Sequence, residues 1–243
     1  MTHGPLIPRT IHYCWFGPSP ISPLGRRCIE TWGEVMPDYT LEYWDETRLP
    51  RDAAYPNIAY RQHKFAFVAD YVRLRALYDH GGLYFDTDIE ALKPFDPLLD
   101  TPLFLGLQAP DSIGVGVIGA LKGHPFLKLA LDRLDAEASS GRLSFQPLPE
   151  LITALARNAA SAPTALPVDY FYPYNPHSPT PLRQKPLQSN ISERTFCIHH
   201  WEGTWLGGMS LSMMIGLRVK HRLQRVGALF RRLLSPRSMA ARP

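Results

Sequence analysis

The stretch from Ile58 to Leu92 constrains the fold of this chain more than any other. Phe67, Val68, Tyr71, Leu74, Leu77 and Tyr78 recur at three- and four-residue spacing, which predicts one helix over 58–80. Gly81–Gly82 then stops it. The run "LYFDTDIEAL", 83–92, predicts a strand from its Leu, Tyr, Phe and Ile content, closed by Pro94 and Pro97. The same alternation runs along the rest of the chain. Strands are expected at 9–17, 39–45 and 194–205, and in the apolar runs "PLFLGLQ" and "GVGVIGALKG". Helices are expected at 25–35, 124–141, 149–160 and 215–234. Strands alternating with helices predict an α/β fold with a mostly parallel central sheet. A length of 243 residues and 45% hydrophobic content suit one such domain. Two Pro-rich stretches, 18–23 and 163–186, read as irregular surface segments.

Three acidic residues, Asp86, Asp88 and Glu90, interrupt the predicted strand at 83–92. On a strand, Asp86 and Asp88 point to one face and Thr87 points away. Two carboxylates on one face repel unless a cation sits beside them. An oxygen-rich site of this kind suits Mn²⁺ or Mg²⁺ better than Zn²⁺. Such a metal is useful where a diphosphate is held and then leaves, because it neutralises the growing negative charge. Asp70 and Arg73, three apart, share a face of the preceding helix. The bland alternatives are that Asp86 and Asp88 lie in a surface turn and that Arg73 simply pairs with Asp70. Glu90 continues the Asp86 face and is expected to be structural or solvated.

The remaining composition narrows the classes of function. No continuous apolar core is present in residues 1–25, so no secretory signal is expected. No run reaches the roughly 18 apolar residues of a membrane-spanning helix. Cys14, Cys28 and Cys197 form no metal or redox spacing and read as core thiols of a reducing cytosol. The net charge of +4 belongs to the C-terminal segment. Residues 216–243 hold eight Lys and Arg and no acidic residue, which leaves 18 basic against 22 acidic residues in the body. The body is therefore not expected to bind nucleic acid. Val219, Leu223, Val226, Phe230 and Leu233 recur at 4-3-4-3 spacing among the arginines, the pattern of a basic amphipathic helix. Such a helix either lies on an anionic membrane surface or packs on the body.

The longer pattern "ADYVRLRALYDHGGLYFDTD", 69–88, resembles the signature of the DXD sugar transferases of glycosyltransferase family 32. That family includes mannosyltransferases, bacterial capsule transferases and the core of the large glucosylating toxins. The resemblance extends to "IPRTIHYCWFG", 7–17, to "YFYPYNP", 170–176, and to "HHWEGTW", 199–205. It implies a GT-A fold, Rossmann-like and nucleotide-sugar binding, over residues 1–214, followed by the basic helix and tail at 215–243. It also implies retaining, metal-dependent glycosyl transfer from a nucleotide sugar to a saccharide or lipid-linked acceptor. In this reading the protein is cytoplasmic, at the inner face of the cell membrane, and builds a cell-surface polysaccharide or glycolipid.

Residue roles follow from the resemblance alone. Trp15 stacks on the base, or is core. Asp70, Arg73 and Asp86 act at the donor sugar and diphosphate and form the catalytic set. Tyr84 and Trp205 complete the substrate contacts. Asp86 and Asp88 hold Mn²⁺ or Mg²⁺ together with His200, whose spacing to Gly203 fits the related H-x-x-G pattern; His199 is the alternative. Relatives carry an Asn where this chain has Ile113-Gly114-Val115-Gly116-Val117, so the acceptor pocket does not carry over. Thr204-Trp205 stands where Ser-Trp is more usual. Two other functions fit parts of the pattern: a non-catalytic nucleotide-sugar binder, and a toxin-like transferase acting on a protein.

Overall fold

The computed structural model describes residues 5–141, 143–176 and 190–203. Trp205 and the helix predicted at 215–234 lie outside the described residues.

The chain begins with strand β1 (Thr10–Cys14), helix α1 (Pro23–Val35) and strand β2 (Thr40–Trp44). Helices α2 (Ala54–Arg61) and α3 (Phe65–His80) follow, then strands β3 (Gly82–Phe85) and β4 (Ile89–Ala91). Next come β5 (Leu103–Ala109), β6 (Ser112–Ala120), α4 (Pro125–Ser139) and α5 (Leu148–Ala156). The described part closes with β7 (Thr164–Leu166), the short α6 (Val168–Phe171) and β8 (Cys197–His199). Six strands form one sheet in the order β2-β1-β3-β6-β5-β7. Only β6 runs against the others, pairing antiparallel with β3 and β5. The remaining pairs are parallel, so the predicted mostly parallel α/β sheet is the one observed. β4 and β8 form a separate antiparallel pair.

Both faces of the main sheet are covered, which explains why β3 reads as an unbroken apolar run. Leu83 and Phe85 enter the core built with Trp32, Phe95 and Phe171. Tyr84 enters the opposite core, beneath α2, α3 and α4. Helix α3 packs on α2 and α4 as well as on β1 and β3. It therefore buries residues on several faces, from Val68 to Leu77.

Two sequence boundaries shift. The single helix predicted over 58–80 is two helices, because His63 adopts a left-handed φ of 55° and the chain turns before Phe65. Gln62-His63-Lys64 carries no Gly or Pro to announce that turn. The strand predicted over 83–92 is also divided: β3 ends at Phe85 and β4 restarts at Ile89 in the other sheet. The Pro-rich stretch, read as irregular throughout, contributes edge strand β7 and α6.

Candidate active site

Asp86 and Asp88 converge because the chain turns, not because a strand alternates. The Asp86 N–H still donates to Gly116 O (2.8 Å), extending the β3–β6 pairing. Ile89 N–H then donates back to Asp86 O (3.0 Å), closing a tight turn over Asp86–Ile89. Helix α1 holds the turn from the other side, where Trp32 donates its indole N–H to Ile89 O (2.6 Å). The acidic pair thus sits just beyond the end of β3, where open α/β sheets bind ligands.

Arg73 stands behind the turn, only 6% exposed. Its guanidinium pairs with Asp70 (3.0 Å) and Asp86 (3.1 Å), donates to Val115 O (2.9 Å), and lies 4.5 Å over the Tyr84 ring. Tyr84 donates its hydroxyl to Asp86 (3.0 Å) and is itself buried. The substrate contact expected of Tyr84 is therefore corrected: its ring supports Arg73 and its hydroxyl fixes Asp86. Burial pushes the Asp70 carboxyl up to about 6, with Arg73 opposing and Asp86 reinforcing the rise. Burial also works to raise Asp88, but hydrogen bonds and charge from His199, with the Glu202 N–H, outweigh it and hold the carboxyl below its ordinary value.

The histidine beside the acidic turn is His199, not His200. In the β4–β8 ladder Glu90 faces Ile198 and Ile89 faces His199. His200 N–H continues the pairing to Asp88 O (3.1 Å). Side chains alternate along β8, so His200 falls on the Glu90 face and bonds that carboxylate at 2.7 Å. Glu90, expected to be structural or solvated, thus bonds His200 with its side chain 37% exposed. His199 falls on the other face, 3.2 Å from Asp88 and against the Trp201 ring at 4.1 Å.

Ligand atoms of Asp86, Asp88 and His199 lie within 4.8 Å of one another. Two carboxylates and an imidazole suit Mn²⁺ or Mg²⁺. Two further observations fit a cation there. His199 Nδ1 is buried and has no hydrogen-bond partner among the described residues. Arg73 pairs with Asp70 and Asp86, so the Asp88 carboxylate beside Asp86 has no Arg73 contact to offset it.

Two supports of the site lie in stretches that share the resemblance but drew no role from the sequence. Tyr172 is buried against β6, where a Cβ on Gly114 would stand 2.5 Å from its ring, and it accepts the Val117 N–H (3.2 Å). Gly114, with Gly106 on β5, leaves the space that the Tyr172 ring fills. A Cβ on Gly116 would lie 3.0 Å from Asp86 Oδ2, so that glycine leaves the carboxylate its place. The other support is His12, which accepts the Trp44 indole N–H on Nδ1 (3.1 Å) and meets Gly81 O at Nε2 (2.9 Å). It ties β1 and β2 to the turn that starts β3. Trp15 lies just past β1 at the same end of the sheet as Asp86, half-buried, its ring N–H on Ser19 O (2.6 Å).

A sheet of this order, with one reversed strand and an acidic turn beyond β3, is the GT-A architecture of glycosyltransferases. Residues 24–105 match the family described as the glycosyltransferase sugar-binding region containing the DXD motif. The chain is 33% identical over 129 residues to inositol phosphoceramide mannosyltransferase 3 of Schizosaccharomyces pombe, covering 50% of this chain and 35% of that protein. It is 24% identical over 204 residues to lactosylceramide 4-alpha-galactosyltransferase of Mus musculus, covering 74% and 54%. The matches thus span roughly a third to a half of these relatives. A solved structure, the PaToxG glycosyltransferase, shares the fold with a TM-score of 0.52 at 20% identity, over 62% of this chain and 68% of its own.

Proposed function

We propose that this protein is a metal-dependent, retaining glycosyltransferase that moves a sugar from a nucleotide sugar to a lipid-linked or saccharide acceptor. The carrying observation is the Asp86–Asp88–His199 cluster at the end of β3, backed by the buried Arg73. A bound Mn²⁺ or Mg²⁺ would supply charge neutralisation for the departing diphosphate. Asp88 and His199, with Asp86, are the residues to hold it. Asp70 and Asp86 keep side-chain exposures of 15% and 27%, which supports a role for them in orienting the donor's sugar hydroxyls.

Neither Asp70 nor Asp86 is a free nucleophile, since each is paired with Arg73. This supports front-side attack: the acceptor hydroxyl bonds to the anomeric carbon on the face the phosphate leaves, and its proton passes to the leaving phosphate. The glycolipid acceptor is favoured by the relatives, two of which are named for ceramide substrates.

The test is donor hydrolysis and transfer with Mn²⁺. Asp88→Ala is expected to lose activity by about 100-fold or more, the scale of several kcal/mol of lost charge stabilisation. His199→Ala should weaken Mn²⁺ binding while His200→Ala retains it. Wild-type turnover in Asp88→Ala removes the metal role.

The proposal extends to peripheral attachment at the inner face of the cell membrane through the Arg-rich sequence 216–243. Deleting 216–243 is expected to move the protein from the membrane fraction to the soluble one. An unchanged distribution counts against attachment.

A further inference from the structure

Beyond His200 the chain leaves the β4–β8 pair and turns back towards the acidic turn. Trp201 takes a left-handed φ of 56°, uncommon for a residue with a side chain, and Gly203 takes 66°. Between them, Glu202 reaches two ways. Its backbone N–H donates to Asp88 Oδ2 at 2.9 Å. Its carboxylate accepts the Ser22 hydroxyl at 2.8 Å, across 180 residues. One residue thus joins a candidate cation ligand to the start of α1.

The α1 end of this link is well anchored. Ser22 is the N-cap, and its Oγ also accepts the Gly25 N–H (2.9 Å). The loop before it is fastened by the Trp15 indole N–H on Ser19 O (2.6 Å) and by Arg26 on Ile21 O (2.5 Å). The first turn of α1 lies against the acidic turn, where a Cβ on Gly25 would meet Thr87 O at 3.5 Å. Further along, Thr31 accepts the Ala91 N–H (3.0 Å) and Trp32 donates to Ile89 O (2.6 Å). Helix α1 therefore grips β4 directly and reaches the loop after β8 through Ser22. A hydroxyl donating to an ionised carboxylate is one of the stronger hydrogen bonds. It holds Glu202 where its N–H meets Asp88. Fixing Asp88 Oδ2 in turn sets the direction of Oδ1, which faces His199 at 3.2 Å.

We infer that Glu202 is a positioning residue of the cation site: with its side chain tethered to the Ser22 cap of α1, its backbone N–H fixes the Asp88 carboxylate beside His199. Glu202 acts through this geometry and not as a ligand or through its charge. The inference rests on the metal-dependent reading above.

The experiment is calorimetric titration of the full chain with Mn²⁺ alone. Ser22→Gly deletes the hydroxyl at a position where glycine still serves as a helix cap. Ser22→Gly and Glu202→Ala are each expected to weaken Mn²⁺ binding by about tenfold, the effect of removing a group that holds a metal ligand in place. The double variant should lie within about twofold of the weaker single one, because both changes cut the same link. Glu202→Gln keeps an oxygen for the Ser22 hydroxyl, and Ser22→Thr keeps the hydroxyl and the cap. Both should stay within about threefold of wild type. Melting temperatures without metal show that each variant is folded. Wild-type affinity in Ser22→Gly or Glu202→Ala overturns the positioning role and leaves the metal reading standing. A loss in Glu202→Gln as large as in Glu202→Ala overturns the tether and assigns the effect to the charge. Losses that add in the double variant overturn the link between the two residues. No Mn²⁺ binding by wild type overturns the metal reading and this inference with it.

Discussion

Arg73→Met is expected to destabilise the protein by roughly 3–5 kcal/mol, the cost of leaving a buried charge without its partner. Arg73 is the partner of two carboxylates, Asp70 and Asp86, and also holds Val115 O. Met fills much of the volume and supplies none of the charge. For a domain of this size the loss corresponds to about 10 °C in melting temperature. Arg73→Lys should fall between, because a single ammonium cannot serve the divergent partners that a guanidinium fork reaches. The deficit should also depend on pH. Asp70 ionises near 6 in the native protein, and removing Arg73 penalises only the ionised form. The difference between wild type and Arg73→Met should therefore shrink as pH falls below about 6. Denaturant titrations at pH 8 and pH 5 check both parts. A variant as stable as wild type at pH 8 would refute the anchoring role.

His12 gives the second large effect, in acid. Trp44 donates to Nδ1, so the proton on the neutral ring sits on Nε2 and faces Gly81 O. Protonating Nδ1 would set two donors against each other. Burial lowers the ring further, to about 4 against an ordinary 6.5. Between those values the unfolded chain takes up a proton that the folded chain refuses. Stability therefore falls as pH drops from about 6.5 towards 4, by roughly 3 kcal/mol in total from this one group. The contribution is intact above pH 7. His12→Gln keeps a donor for Gly81 O but cannot be charged. It should be less stable than wild type at pH 7.5, with the gap closing by roughly 3 kcal/mol at pH 4. A gap that stays constant over that range counts against a buried neutral His12.

Both residues show where sequence reading reaches and where it stops. Arg73 and Asp70 were legible, because helical spacing alone puts residues three apart on one face. His12 was not, because nothing local marks a histidine whose partners, Trp44 and Gly81, arrive from 32 and 69 residues away. The packing of Tyr172 was similarly hidden: its place depends on Gly114 of β6 and Gly106 of β5, and a glycine's missing side chain shows its purpose only when the neighbour is known. The division of the 83–92 strand was hidden too. Thr87 and Ile89 are as compatible with a strand as with a turn, and the choice was made by Gly116 and Trp32, which hold the backbone at Asp86 and Ile89.

The sequence by itself determined the alternating α/β architecture, the Gly81–Gly82 junction and the shared helical face of Asp70 and Arg73. Each depends on hydrophobic period, glycine conformation or short spacing, which are local properties of the chain. Tertiary structure alone decided that the acidic pair occupies a turn between two sheets. It alone set His199 beside Asp88 and turned His200 to Glu90, because the face a strand residue takes depends on the register of its partner strand. It also brought Glu46 to the Gly17 N–H across 29 residues, a contact that no single segment announces.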